Sequence, residues 1–252
     1  MSTLVLILLS TFLVSIVSLL LVGSLLLHRT LMHKISFSLV SFAAGALLAT
    51  GFLDTMQEAV RQAHGHNIFV WVTFSFAGFF IIERLFLHLH HHDDDDEDHA
   101  EDIQLPTGLL LFGDALHNFV DGASIAASFF VSIPVGIITS ITVFIHEIPH
   151  ELGDFGILLH KGWGRKKVFT FNALTGLTAI LGALTAYFLG SIFKDTVPIL
   201  LVITTGNFIY LSATDLLPEI HHHSKKNPAL PHVLLFLAGI FTIWILTTFL
   251  EG

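Results

Sequence analysis

Eight long apolar runs govern what this chain can fold into. They lie at about 4–27, 36–59, 68–88, 107–131, 133–160, 168–190, 197–220 and 231–250. A helix needs ~20 mostly apolar residues to cross a bilayer, so each run can span once, with short connections between. Inside hydrocarbon every backbone N–H and C=O must be bonded within the protein, which leaves helices or closed barrels. A barrel needs ~10-residue strands alternating polar and apolar, whereas these runs are continuous. The reading is an all-α integral membrane protein with eight transmembrane helices, a single transmembrane domain over 1–252.

Composition agrees. Only 12% of residues are charged, about half the ~25% of soluble domains, which excludes a soluble enzyme, a nucleic-acid binder and a disordered chain. The first run lacks a basic n-region and an A-x-A-like site, so it reads as a retained span rather than a signal peptide. Lys and Arg set the orientation. With the N-terminus outside, the inner side holds Arg29, Lys34, Arg84, Lys161, Arg165, Lys166, Lys167, Lys225 and Lys226, and the outer side only Arg61 and Lys194. Both termini are therefore expected outside a cell (inner or plasma) membrane.

The net charge of −9 is concentrated in one place. Eight of the 20 acids fall between Asp93 and Asp102, inside a stretch that begins His88-Leu-His90-His91-His92 and also holds His99. Self-repulsion and the lack of apolar content predict that 88–104 is a disordered loop, on the cytoplasmic side. His221-His222-His223 forms a second cluster on the same side. His-rich tracts bind metal by composition; the plainer reading is a solvating loop.

The spans themselves keep costly groups. An ionisable residue at the bilayer centre costs ~2.5–3.5 kcal/mol or more, yet span four carries Asp114, His117, Asn118 and Asp121, and span five His146, Glu147, His150, Glu151 and Asp154. Asp114, His117 and Asp121 share one helical face. His117 with Asp121, and His146 with His150, are i, i+4 pairs. Two such pairs on facing helices supply four N/O ligands, as tetrahedral zinc prefers. Asn118, Glu147 and Glu151 sit one residue on, suited to a second ion or to supporting the first. The chain has no Cys, so no thiolate takes part. Packing and a proton relay use the same residue types, but neither calls for two His-containing ligand pairs. Pro149 is expected to free the Ile145 carbonyl and kink span five beside the site.

His146-Glu147-Ile148-Pro149-His150 also matches H-E-x-x-H, the zinc-protease signature. A proline in the turn that must be regular, and ligands on span four that would displace the water, weigh against an enzyme. Asp54 and Glu58 near the end of span two repeat the D-x3-E spacing of Asp215 and Glu219 near the end of span seven. They would lie on opposite membrane sides, which suits spans 1–3 and 6–8 as inverted repeats around spans 4–5. The alternative is acids snorkelling at helix ends.

His117-Asn118-Phe119-Val120-Asp121-Gly122 and His146-Glu147-Ile148-Pro149-His150-Glu151-Leu152-Gly153-Asp154 together resemble the paired signatures of the ZIP (Zrt/Irt-like) metal transporters. The second is similar to the HExPHExGD form of one zinc-transporting subfamily. The resemblance implies Zn²⁺ import to the cytoplasm by alternating access, a two-metal site between spans four and five, and often a homodimer. It places His117, Asp121, His146 and His150 on the first ion, and Asn118 and Glu147 on the second with His150 bridging. Some members have carboxylates or Gln where this chain has His146 and His150. Some add a Glu from span six, where this chain offers Asn172, Thr175, Thr178 and Tyr187, so a second ion is expected to be weak or absent. Asp54 and Glu58 would collect the ion; Glu151, Asp154 and His160 lead inward, and Asp215 and Glu219 lie near the exit. Nitrogen-rich ligation favours zinc over magnesium, calcium and manganese, and leaves Cd²⁺, Fe²⁺ and other divalent transition metals open. The competing functions are an intramembrane zinc metalloprotease and a non-transporting metal sensor.

Overall fold

A computed structural model of the protein describes residues 2–25, 29–62, 67–88, 107–192, 196–224 and 229–251. His90, His91, His92 and His99 lie outside the described residues, as do the side chains of His88, His160, Glu219, His222 and His223. The described chain is helical and contains no strand.

The helices are α1 (Thr3–Leu25), α2 (Arg29–Ala49), α3 (Met56–Gln62), α4 (Ile68–His88), α5 (Thr107–Val131), α6 (Ile133–His160), α7 (Arg165–Ile192), α8 (Thr196–Leu211), α9 (Leu217–Ser224) and α10 (Ala229–Glu251). A π turn at Thr50–Thr55 joins α2 to α3, and another at Ser212–Leu216 joins α8 to α9. Expected spans two and seven are thus long helices, each with a π turn near one end. Seven spans are long and apolar enough to cross a membrane. The eighth, α5, has 25 residues and falls short only in hydropathy, because it carries Asp114, His117, Asn118 and Asp121.

Local chemistry sets the ends of α6. Ser132 extends the chain after α5, and its hydroxyl accepts from the Val135 N–H at 3.3 Å, a helix N-cap. At the other end Trp163 N–H bonds Leu158 O and Gly162 N–H bonds Leu159 O, with Gly162 at φ 82°, the glycine-terminated Schellman stop. Pro149 does not break the helix: α6 runs unbroken from Ile133 to His160. The irregular backbone lies instead in the two π turns, each holding one Asp of a D-x3-E pair.

The packing has a two-fold pattern. α5 lies along α7 as α6 lies along α1; α2 pairs with α10 as α8 pairs with α4; α2 meets α6 as α8 meets α5. Exchanging α1, α2, α4 and α5 for α7, α8, α10 and α6 maps each of these contacts onto another, as inverted repeats require. Two of the interfaces are built on glycine. A Cβ on Gly122 would overlap the carbonyl oxygen of Ala179, and one on Gly182 that of Phe119, so α5 and α7 touch backbone to backbone. Gly45 and Gly239 do the same for α2 and α10, against Phe236 and Phe42. Small residues at the contact are how membrane helices gain close packing where lipid is as apolar as the side chains.

Gly122→Ala is expected to destabilise the protein by about 1–3 kcal/mol through overpacking, read as a lower Tm in detergent. Gly156→Ala, whose Cβ meets nothing within 4 Å, should leave Tm unchanged or raise it, since alanine is the better helix former.

Candidate metal centre

The facing surfaces of α5 and α6 bring two ligand groups together. His117, Asp121, His146 and Glu147 each offer an atom within 4.8 Å of the others' atoms. Asp114, His150 and Asp154 form the second group on the same criterion. All seven were expected from sequence, but the apportionment differs. Glu147 joins the first group and His150 the second, its ring stacked on that of His117 with centroids 4.2 Å apart. Helix rotation decides this, and residue spacing alone does not specify it.

The first group is almost wholly buried. His117 Nε2 stands 3.3 Å from Glu147 Oε1 and 3.6 Å from Asp121 Oδ2, and His146 Nε2 stands 2.8 Å from the same Asp121 oxygen. His146 Nδ1 is 3.0 Å from the carbonyl of Thr142. A carbonyl only accepts, so Nδ1 carries the proton. In the neutral ring Nε2 then turns a lone pair toward a carboxylate. Facing lone pairs at such distances need a proton or a cation between them. Zn–N and Zn–O bonds of ~2.0–2.2 Å in a tetrahedron put ligand atoms about 3.3 Å apart, and the observed separations bracket that value. His117 Nε2, Asp121 Oδ1 and both Glu147 oxygens are buried with no hydrogen-bond partner in the chain, as ligands for a cation would be.

The second group is wider and wetter. His150 Nδ1 lies 3.6 Å from Asp154 Oδ2 and 4.0 Å from Asp114 Oδ1, and its side chain is 31% exposed. Two further expected ligands are bonded within the bundle. Asn118 donates to the carbonyl and to Oδ1 of Asp114, at 3.1 and 2.8 Å, and borders a small cavity with Asp121 and Glu147. Glu151 accepts from the Ser18 hydroxyl of α1 at 2.9 Å. On α7, Thr178 bonds the Ala115 carbonyl and Asn172 bonds the Val168 carbonyl.

A cavity of about 340 Å³ reaches the centre from one side, lined by Asp114, His117, His150, Asp154, Tyr210 and Asp215 among others. Asp215 is exposed there and accepts from Thr214. Tyr210 donates to Glu83 across the α4–α8 contact. Glu83 was missed from sequence although the signal was available, being the one acid of the third apolar run. On the opposite side Asp54 is buried, and Glu58 is held by Arg61 at 3.0 Å and Gln62 at 2.9 Å. His221 is exposed.

The bundle is thus a multi-pass membrane protein with a buried His/carboxylate cluster of a kind that could hold a metal ion. A family model of the ZIP zinc transporters matches residues 88–247, and the chain belongs to that family. It is 39% identical over 119 residues to zinc transporter ZIP6 of Homo sapiens, covering 47% of this chain and 16% of that protein. It is 34% identical over 153 residues to zinc transporter zipt-7.2 of Caenorhabditis elegans, 59% of this chain and 33% of that one. It is 36% identical over 152 residues to zinc transporter ZIP4 of Mus musculus, 60% and 23%. The chain therefore spans a third or less of these relatives.

Zinc titration of the detergent-solubilised protein by calorimetry separates the ligands from their neighbours. Asp121→Asn is expected to lower affinity by more than about 100-fold, and Glu151→Gln by about tenfold or less. Affinity should fall below about pH 6, because neutral imidazole is the ligand and ordinary His titrates near ~6.5. A flat profile between pH 5 and 7.5 would contradict His ligation.

Proposed function

We propose that this protein carries Zn²⁺ across a membrane into the cytoplasm by alternating access, with the ion passing through the α5–α6 centre as substrate. The observation that carries the reading is the pairing of a cation centre with one-sided access. Ligand atoms of His117, Asp121, His146 and Glu147 within 4.8 Å of one another stand at the end of a cavity that opens past Asp215. By the Lys/Arg distribution that side is cytoplasmic, with both termini outside. Family membership and the names of the relatives support zinc as the ion; Cd²⁺ and Fe²⁺ fit the same donors less specifically.

In this reading Asp54 and Glu58 gather the ion outside. The first ligand group strips part of its hydration shell, and Asp114, His150 and Asp154 receive it next. Asp215, with Glu219 one turn further on, lies at the exit. The His-rich loop 88–104 and His221-His222-His223 chelate zinc after release and are accessory. The backbone contact of α5 with α7 supports movement of those helices as one body against α2, α4, α8 and α10. A homodimer within the plasma or inner membrane is the expected assembly. A protease reading is disfavoured by Glu147, whose carboxylate faces His117 rather than a water position.

Proteoliposomes loaded with a zinc-sensitive dye test the proposal. Wild type should accumulate zinc, and His146→Ala should lose at least tenfold of the rate. Wild type that binds zinc but passes none would overturn transport and favour a sensor. Deletion of 90–99 should retain most of the flux; its complete loss would make the loop obligatory.

A further inference from the structure

Eight buried hydroxyls between the centre and the outer side close a ring that no part of the mechanism above uses. Thr50 of the first π turn pairs with Thr142 of α6, Oγ1 to Oγ1, at 2.7 Å. Thr139 of α6 donates to Ser128 of α5 at 2.8 Å. Thr204 of α8 donates to Ser124 of α5 at 3.1 Å. Thr205 of α8 pairs with Thr55 of the same π turn at 2.9 Å. The four pairs therefore run from the π turn to α6, to α5, to α8 and back to the π turn. Every member is at most 2% exposed.

The ring's position is fixed by the chain. Thr142 lies one turn before His146 and supplies the carbonyl that orients it. Ser124 and Ser128 follow Asp121 on α5. Thr50 and Thr55 bracket Asp54. The ring thus lies at the level of Asp54, about one turn from the ligands His146 and Asp121 along α6 and α5, and none of its members lines the cavity.

We propose that this ring is the outer gate, and that its hydroxyls line the ion's path once it opens. The inference rests on the transport reading. A hydroxyl pair is an exchangeable closure. When the helices part, each oxygen trades its partner for water or for a cation carrying part of its hydration shell, so no polar group is stranded. An apolar plug offers an ion nothing in place of water. The Thr50–Thr142 pair also couples the two stations, because the residue it holds on α6 fixes His146 while the residue it holds on the π turn adjoins Asp54. Thr142 is in this sense a positioning residue.

The chain has no Cys, so Thr50→Cys with Thr142→Cys creates one thiol pair on the two sides of the ring. Oxidation of the double variant in proteoliposomes should cut zinc uptake at least tenfold and reduction should restore it, with neither single variant affected by oxidation. Zinc binding in detergent should be the same oxidised or reduced, since the centre is reached through the cavity. Thr50→Val with Thr142→Val keeps shape and burial but removes the hydroxyls. It should lower the maximal uptake rate at least tenfold with KM held, and the Thr50→Ser, Thr142→Ser pair should recover the rate. If either double variant fails to fold, the same substitutions at Ser128 and Thr139 take its place. An oxidised, cross-linked pair that still conducts would overturn the gate. Wild-type rates in the Val pair would overturn the hydroxyl path. Wild type that passes no zinc at all would instead remove the transport reading itself, and the gate with it.

Discussion

The arrangement depends on one electrostatic constraint: two imidazole nitrogens and two carboxylates face one another, almost wholly buried, at the end of a cavity. Removing a charge from water into a bilayer-embedded bundle is expensive unless it is paired. Here Asp121 meets His117 and His146, and Glu147 meets His117 again, so the cluster is compensated only as a unit and only when a cation or protons sit among the lone pairs. That suits the centre to a cation, as the proposed function requires. It also explains the shell around it. The Thr142 carbonyl fixes the His146 ring and Asn118 holds Asp114, while Ser18 engages Glu151 beside them. The glycine contacts of α5 with α7 serve the same end, since a ligand set held within a few tenths of an ångström needs helices that cannot slide.

The two-fold contact pattern sets the second level. If the halves were identical, both sides of the centre would be equally open or closed. They differ. One side has a cavity reaching Asp215, and the other has buried Asp54 behind paired hydroxyls. A pseudo-symmetric bundle caught with one face open is what alternating access needs, because the opposite state costs only an exchange of equivalent contacts. The two π turns mark where that exchange is cheapest. Each inserts a residue into the helical ladder beside an acid, and π turns recur at functional positions.

Much of this was legible in the chain. The apolar runs expected at about 107–131 and 133–160 coincide with α5 and α6, whereas Ser132 and Gly162, which cap α6, did not stand out in the sequence. All seven grouped ligands stood out as costly groups in apolar runs. What was not legible had physical reasons. Whether Glu147 or His150 joins His117 depends on the rotation of α6 about its axis, which one residue's spacing leaves open. Pro149 was expected to kink α6, and the helix runs continuously through it, whereas the irregularities at Thr50–Thr55 and Ser212–Leu216 carry no proline. The hydroxyl ring was invisible because threonine and serine are ordinary in membrane helices, and its pairs join residues far apart in sequence.

The repeat makes the gate chemistry asymmetric, and the asymmetry has a direction. Aligning Asp54 with Asp215 places Thr50 opposite Leu211 and Thr55 opposite Leu216. Two hydroxyls of the proposed outer gate thus have leucines at the equivalent positions of the second π turn, and Leu211 lines the cavity. Interhelical hydrogen bonds in membranes average about 0.6 kcal/mol, so four pairs would hold the outer ring with roughly 2–3 kcal/mol, little enough to open often. An ion arriving from outside would thus find oxygen ligands at each step until the His/carboxylate centre. Leaving inward, it would pass from four tightly grouped ligands to three loosely grouped ones at Asp114, His150 and Asp154, and then to Asp215 in water. Ligand density falls along that route, so release would be graded, each step exchanging some protein ligands for water.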